Sequence, residues 1–437
     1  MLRDIIFCIL CFSFLCVVFS TGSGAPLVEE SWFKSHQAGS DDLVFRAFTS
    51  SLPAGSTPGV GLRLVEQEIC LGAFTPLSTY QKFHNSVQLT SRGTLYPSQA
   101  GIQTLLLLPA YWYSFLSSSP DIGEKLYRGS KIAVAIVVVL NALAITLFIL
   151  WAKREFSIQV AIAFTISLPI VAPWLVVFGH SVYWMLWSWF LPLLIALYGW
   201  RRMTERGGSV QLRVLYGALF CSFVLKMLMG YEYISTIAIA ASSPVVFYGV
   251  CKNWGIKQML LRILATGTTS LFAFAIALLI HLQFLQAEMK GSLPQAMDMI
   301  LSRFFVRAWG NIIPAGRPIP DQYANSLSSS VFHVLKTYLL GGGEWVIILL
   351  MLIAILYYRL FSCRFTTNTG CVKSKALIIT SAYSILAPLS HFILMKGHSY
   401  IHTHMNYVLW WLPFNAFCLI FIVLSLLCPY SITIKDQ

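Results

Sequence analysis

The chain has 437 residues, 57% of them hydrophobic and only 11% charged, and its apolar runs reach the roughly 20 residues that a helix needs to cross a hydrocarbon core. This composition excludes a soluble globular domain and defines an integral membrane protein. The net charge of +13 does not argue for a nucleic-acid partner, because Lys and Arg lie mostly in short connectors between apolar runs, where membrane topology accounts for them.

In chain order, the first apolar run, 5–20, is short and follows Arg3 and Asp4. It reads as a first transmembrane helix or signal anchor, with a cleaved signal peptide ending near 22–25 as the alternative. Further spans are expected at 131–151, 157–178, 181–199, 210–230, 233–251, 263–285, 345–358, 376–396 and 407–428. The fold class is therefore an all-α polytopic membrane protein of about ten transmembrane helices.

Basic residues set the orientation. One set of connectors carries Lys153 and Arg154, then Arg201, Arg202, Arg206 and Arg213, then Lys252, Lys257 and Arg262, then Arg359, Arg364, Lys373 and Lys375. The alternate short connectors carry none, apart from Lys396 at the edge of the last, so the first set faces the cytoplasm. The pattern holds only if 101–116 does not cross. Its Pro109 and its Tyr111-Trp112-Tyr113 cluster mark a helix lying at the outer interface.

The resulting organisation is a first helix at 1–20, a first outer loop with juxtamembrane helices at 21–130, helices two to seven at 131–285, a second outer loop at 286–344, and helices eight to ten with a short cytoplasmic tail at 345–437. Both outer loops are too long to be plain connectors. Within the first, 42–52 and 62–71 show helical spacing, separated by the breaker run Ala54-Gly55-Ser56-Thr57-Pro58-Gly59. Of the ten cysteines, six lie in or at the ends of apolar runs and Cys70 is alone in the first loop, so no disulfide framework is implied. The chain has no Asn-x-Ser/Thr sequon, which is compatible with a bacterial protein.

An enzyme acting on a membrane-bound substrate needs acids and bases at the water boundary. Most outer-loop acids are solvated bystanders, but Asp41 and Asp42 follow Gly39-Ser40 and open a helical pattern, where a carboxylate either caps the helix or points into a cleft. Glu30, with Glu29, is their competitor. Lys226 sits in an apolar helix about one turn from its outer end, just before Glu232. A charge there either snorkels to the surface or binds an anion such as a phosphate, with Glu232 orienting it or a substrate hydroxyl. Arg303, Arg307 and Arg317 in the second outer loop are the natural clamp for a phosphate or diphosphate. His398, His402 and His404 form the densest histidine cluster. With no third acidic or Cys ligand nearby they read as lining of a substrate cleft, and no metal ligand is assigned; a divalent metal is the one cofactor candidate.

Three segments carry a family resemblance. Tyr96-Pro97-Ser98-Gln99-Ala100-Gly101-Ile102-Gln103 runs into the Tyr111-Trp112-Tyr113 helix; Ala172-Pro173-Trp174-Leu175-Val176-Val177-Phe178-Gly179-His180 precedes Tyr183-Trp184 and Trp189-Phe190-Leu191-Pro192; and Gly230-Tyr231-Glu232-Tyr233-Ile234-Ser235 follows Lys226. In segment order and topology the chain resembles the GT-C superfamily of membrane glycosyltransferases, which includes protein O-mannosyltransferases and lipid A aminoarabinose transferases. The resemblance implies transfer of a sugar from a polyprenyl-phosphate donor to a glycan, lipid or protein acceptor on the extracytoplasmic face, in a bacterial inner membrane. It also implies a first-loop acid as base, which selects Asp41 or Asp42, then Glu29 or Glu30. The Asp pair lies about twenty residues beyond the first span, whereas many members place the acid within a few. The competing readings are an O-antigen polymerase or ligase, whose catalytic loop lies late in the chain, and a transporter or flippase, which would show inverted repeats and midplane charges.

Overall fold

The computed structural model describes residues 2–22, 40–41, 43–45, 47–48, 62–64, 94–116, 119, 122–310, 326–341, 344–359, 368–403 and 405–427. Within them the protein is all-α, apart from a pair of two-residue strands, β1 (Arg63–Leu64) and β2 (Thr94–Leu95). The helices are α1 (Leu2–Thr21), α2 (Gln103–Phe115), α3 (Ile122–Glu155), α4 (Ile158–Val171), α5 (Pro173–Phe178), α6 (Leu186–Arg206), α7 (Ser209–Met229), α8 (Ile234–Cys251), α9 (Ile256–Met289), α10 (Leu293–Trp309), α11 (Val331–Leu340), α12 (Glu344–Tyr357), α13 (Asn368–Ser384), α14 (Leu386–Leu394), α15 (Lys396–Ile401) and α16 (Phe414–Leu427).

Among the described residues six helical stretches are long and apolar enough to cross a bilayer: Leu2–Thr21, Glu124–Glu155, Val210–Met229, Ile234–Cys251, Ile256–Met289 and Gly370–Leu394. The pair α11 and α12, bent by 67°, brings the number to seven if it is one span. Large apolar side chains face outward along α1 (Ile5, Ile6, Ile9, Leu10, Val17) and α9 (Leu260, Leu261, Leu264, Leu271, Phe272). With every backbone group satisfied inside a helix, such a surface is stable in lipid. The protein is an integral membrane protein.

Several expected spans take a more broken form. The stretch 157–178 starts where the Ser157 hydroxyl accepts from the Val160 amide, then breaks at Ala172, where Pro173 removes a donor and starts α5. The helix expected at 181–199 begins only at Leu186 and extends to Arg206, its tryptophans and arginines lowering its hydropathy. The stretch 407–428 is a 3-10 turn, Asn406–Trp411, followed by the 14-residue α16. The stretch 101–116 contains the helix α2, lying along α3 with Trp112 and Tyr113 exposed and Tyr111 buried.

The helical spacing at 62–71 predicts a helix; of that stretch only 62–64 is described, where Arg63 and Leu64 pair antiparallel with Leu95 and Thr94 and the Tyr96 amide donates to Leu62 O at 2.9 Å, and 65–71 lies outside the described residues. Pairing with a distant segment satisfies these backbone groups, and local periodicity carries no information about it. By contrast, Ser40, Asp41, Leu43–Phe45, Ala47 and Phe48 are helical as the spacing predicts, and Phe48 stacks on Tyr111 with ring centroids 3.7 Å apart.

Helix α8 is the axis of the molecule. It packs on α6, α13 and α14 and presents the small residues Ala240, Ala241, Ser242 and Ser243, all buried, so neighbouring backbones approach closely. Ser242 shares a hydrogen bond of 2.7 Å with the Tyr383 hydroxyl, and Thr236 donates to Ala387 O at 2.9 Å. Polar clusters gather at its two ends. One surrounds Glu155 and Tyr248, the other Glu232 and Tyr233, roughly 22 Å apart along a helix that rises 1.5 Å per residue.

Candidate active site at the Glu232 end

The cluster at the N-terminal end of α8 draws residues from six separate segments. Gly230 ends α7, and the chain turns through Tyr231 and Glu232 to Tyr233, whose φ of 66° lies in the left-handed region. A β-carbon on Gly230 would overlap the Glu232 carboxylate and the Gln99 amide oxygen, so glycine is required there for close packing.

Glu232, buried, accepts at Oε1 from Arg307 Nη1 at 3.0 Å. The other nitrogen of the same guanidinium, Nη2, donates to the Tyr96 hydroxyl at 3.1 Å. Burial alone disfavours the charge on Arg307, but Glu232 and then the Tyr96 and Tyr183 hydroxyls outweigh it, and its pKa rises above the ordinary arginine value. Lys226 is buried beside them and donates to Gly230 O at 2.6 Å. Snorkelling to water is therefore not what this lysine does.

Asp41 enters from the first loop. Its Oδ1 accepts from the Ser181 hydroxyl at 2.7 Å and from the Tyr183 amide at 3.0 Å. Both donors belong to the hairpin between α5 and α6, and the Tyr183 hydroxyl in turn reaches Gln99 Oε1 at 3.4 Å. The C-terminal end of α1 rests on this hairpin as well: Phe19 packs so tightly over Gly179 that a β-carbon there would overlap its ring. The loop thus leaves the first helix at the hairpin and returns Asp41 to it. His180 in the same hairpin is buried, which pulls its pKa down to about 4 despite a hydrogen bond with the Phe19 backbone, so its ring is neutral at pH 7.

The third wall is aromatic and carries the histidines. The Tyr233 hydroxyl donates to Asn406 Oδ1 at 2.7 Å. Its ring meets Trp184, Trp189 and His391, at centroid distances of 5.7, 4.8 and 4.8 Å. His398 lies 5.6 Å from His391 and 4.5 Å from His402, ring to ring. Among the described residues no group of three or more His, Cys, Asp or Glu is disposed to hold a metal ion. Among the described residues Gln99 Nε2, His391 Nε2 and Trp184 Nε1 are buried without a hydrogen-bond partner. Unpaired buried polar atoms are costly, and these three sit around one cluster.

Of the candidates from sequence, Asp41, Lys226, Glu232, Arg307, His398 and His402 are at this end of the bundle. Arg303 is one turn earlier on α10 and exposed, so it does not join them. Asp42, Glu30, Arg317 and His404 lie outside the described residues. Tyr96, Gln99, Ser181, Tyr183, Tyr233, His391 and Asn406 are invisible to a charge-based reading of the sequence, because neutral polar residues leave no charge signal, though Tyr96, Gln99, Tyr183 and Tyr233 fall within the segments that carry the family resemblance.

No protein-family model, no curated protein and no solved structure matches this chain. The fold and composition define an integral membrane protein with an all-α architecture, and the chemistry of the cluster has to be argued from its own residues.

Proposed function

We propose that this protein is a membrane glycosyltransferase that moves a sugar from a polyprenyl-phosphate donor to an acceptor on the extracytoplasmic face. The observation that carries the reading is the convergence of a first-loop carboxylate, Asp41, with a buried Lys226–Glu232–Arg307 group at one end of the apolar helices. The reading includes a GT-C-like topology of ten spans, with the bent, short and broken helices counted as crossings, and a bacterial inner membrane with this cluster outside.

In the proposed reaction the acceptor hydroxyl oxygen attacks the anomeric carbon and its proton passes to the Asp41 carboxylate. The bond from the anomeric carbon to the phosphate oxygen breaks, and polyprenyl phosphate leaves with the electron pair. Ser181 and the Tyr183 amide hold one oxygen of Asp41 and so orient the other. Lys226 and Arg307 stabilise charge growing on the leaving phosphate, with Glu232 fixing the guanidinium. The buried nitrogens of Gln99, His391 and Trp184, which have no partner among the described residues, suit sugar hydroxyls.

The test is transfer of radiolabelled sugar from a panel of polyprenyl-phosphate sugars in membranes carrying wild type, Asp41→Asn or Arg307→Lys protein at matched expression. Transfer by wild type that is lost in Asp41→Asn supports the reading. Transfer abolished by Arg307→Lys but intact in Asp41→Asn shifts the assignment to a polymerase or ligase, and no transfer with any donor shifts it to a transporter.

A further inference from the structure

The opposite end of α8 holds a second polar site, independent of the transferase reading. A cavity of about 440 Å³ opens between the ends of α3, α6 and α8 and the start of α13, with Arg154, Arg201, Lys252 and Lys373 on its walls beside Glu155 and Glu205. Its volume is in the range of small-molecule sites, about 300–1,000 Å³.

The two acids are already engaged. Glu155, buried, pairs with Lys373 at 3.0 Å and Arg201 at 3.7 Å and accepts from the Tyr248 hydroxyl at 2.9 Å. Tyr248 is itself fixed by Trp151 Nε1 at 3.0 Å. Glu205 pairs with Arg201 at 2.9 Å. Among the described residues this arrangement fixes Arg201 yet leaves its Nη1 buried with no hydrogen-bond partner. Among the described residues neither Arg154 nor Lys252 has a carboxylate within ion-pairing distance; Arg154 lies instead over the Tyr198 ring at 5.8 Å. The lining therefore carries four cations against two acids, with two cations uncommitted. Positive-inside topology explains why cations are at this end, but not why four segments surround a cavity with them, nor why a guanidinium nitrogen is buried there unpaired.

We infer that this cavity binds a phosphate-bearing anion, either the headgroup of an acidic lipid or a soluble phosphate compound, between Arg154, Arg201 and Lys252. The Arg154 guanidinium and the Lys252 ammonium, which have no carboxylate within ion-pairing distance among the described residues, match phosphate oxygens, and the Glu155 network keeps Arg201 in place before the ligand arrives.

The experiment titrates the purified full-length protein with inorganic phosphate and, separately, with short-chain phosphatidic acid, against sodium chloride of equal ionic strength to remove general screening. The comparison is the double variant Arg154→Ala/Lys252→Ala, whose substituted residues hold no carboxylate, so its thermal midpoint stays that of wild type. Saturable binding of either probe that weakens at least about tenfold in the variant supports the site: response to phosphate identifies a soluble ligand, and response to phosphatidic acid alone identifies a lipid headgroup. Binding of neither probe, or binding unchanged in the variant, overturns it. Sugar transfer is not read in this assay, so its outcome is separate from that of the transferase proposal.

Discussion

Arg307, on the last turn of α10, places Nη1 3.0 Å from Glu232 Oε1 at the entrance to α8, which joins α10 to the centre of the bundle through one ion pair. The carboxylate is almost fully buried, while 23% of the Arg307 side chain is exposed. Removing the arginine alone therefore leaves the buried carboxylate without its ion-pair partner, with only Lys226 nearby to offset its charge. Arg307→Ala is expected to destabilise the detergent-solubilised protein by about 2 kcal/mol, below the several kcal/mol of a fully buried pair because of that exposure. The double change Arg307→Ala/Glu232→Gln should recover part of the loss. Thermal unfolding of the four proteins as a double-mutant cycle measures it, and strict additivity would show that the pair is not coupled.

Ser181→Ala removes one of the two hydrogen bonds that Asp41 Oδ1 accepts. A hydrogen bond to a charged group is worth about 1.5–3 kcal/mol. Under the transferase reading, kcat should fall by about tenfold or more while KM for the lipid donor changes little, because the hydroxyl orients the base without touching the donor. A loss confined to KM would place Ser181 in donor binding.

Gly230→Ala forces a methyl into the space of the Glu232 carboxylate and the Gln99 amide. Both are ends of flexible side chains, so the chain should still fold, with transfer strongly reduced. Gly397→Ala is more severe, because its β-carbon would meet the backbone of Gly310 and Val306 at 2.6 Å. Expression and thermal midpoint of the two variants should separate accordingly, Gly397→Ala losing folded protein and Gly230→Ala losing activity.

His180 sets a pH dependence of stability. Its pKa is about 4 in the folded protein against an ordinary 6.5, so the unfolded chain binds the proton more tightly. Stability is complete above pH 6.5 and declines as pH falls towards 4, by about 3 kcal/mol at 1.36 kcal/mol per pH unit. Thermal midpoints of wild type and His180→Gln across that window test this: the variant should show a shallower decline, and parallel profiles would remove His180 from the account.

The sequence makes the apolar helices legible because membrane crossing demands long uninterrupted runs, as in α3 and α9. It is less informative where helices are broken, as at Ala172-Pro173, or where backbone pairs at a distance, as at Arg63 and Leu95. Asp41 is legible as the start of a helix. Its contact with the hairpin on which Phe19 rests is not, because linear distance from the first span says nothing about which residues folding brings together. Arg303 and Arg307 are alike in sequence and share a helix face. Only the terminal turn is drawn into the cluster, where Gly310 lies against Gly397. The neutral members, Gln99, Tyr233 and Asn406, acquire meaning only through the partners that folding supplies.

Helix α8 begins at the Glu232–Arg307 cluster and finishes at the Glu155–Tyr248 cluster, with small residues clamped by α6 and α13 between them. Pro244 interrupts the backbone hydrogen bonds near the centre of this rod, so the packing of α6 and α13 on its small residues, and not the helix backbone alone, carries a tilt or axial shift of α8 to both of its ends. Whatever occupies one end of this helix thus shares a mechanical element with the other, and the two faces of the membrane are joined by a single piece of secondary structure.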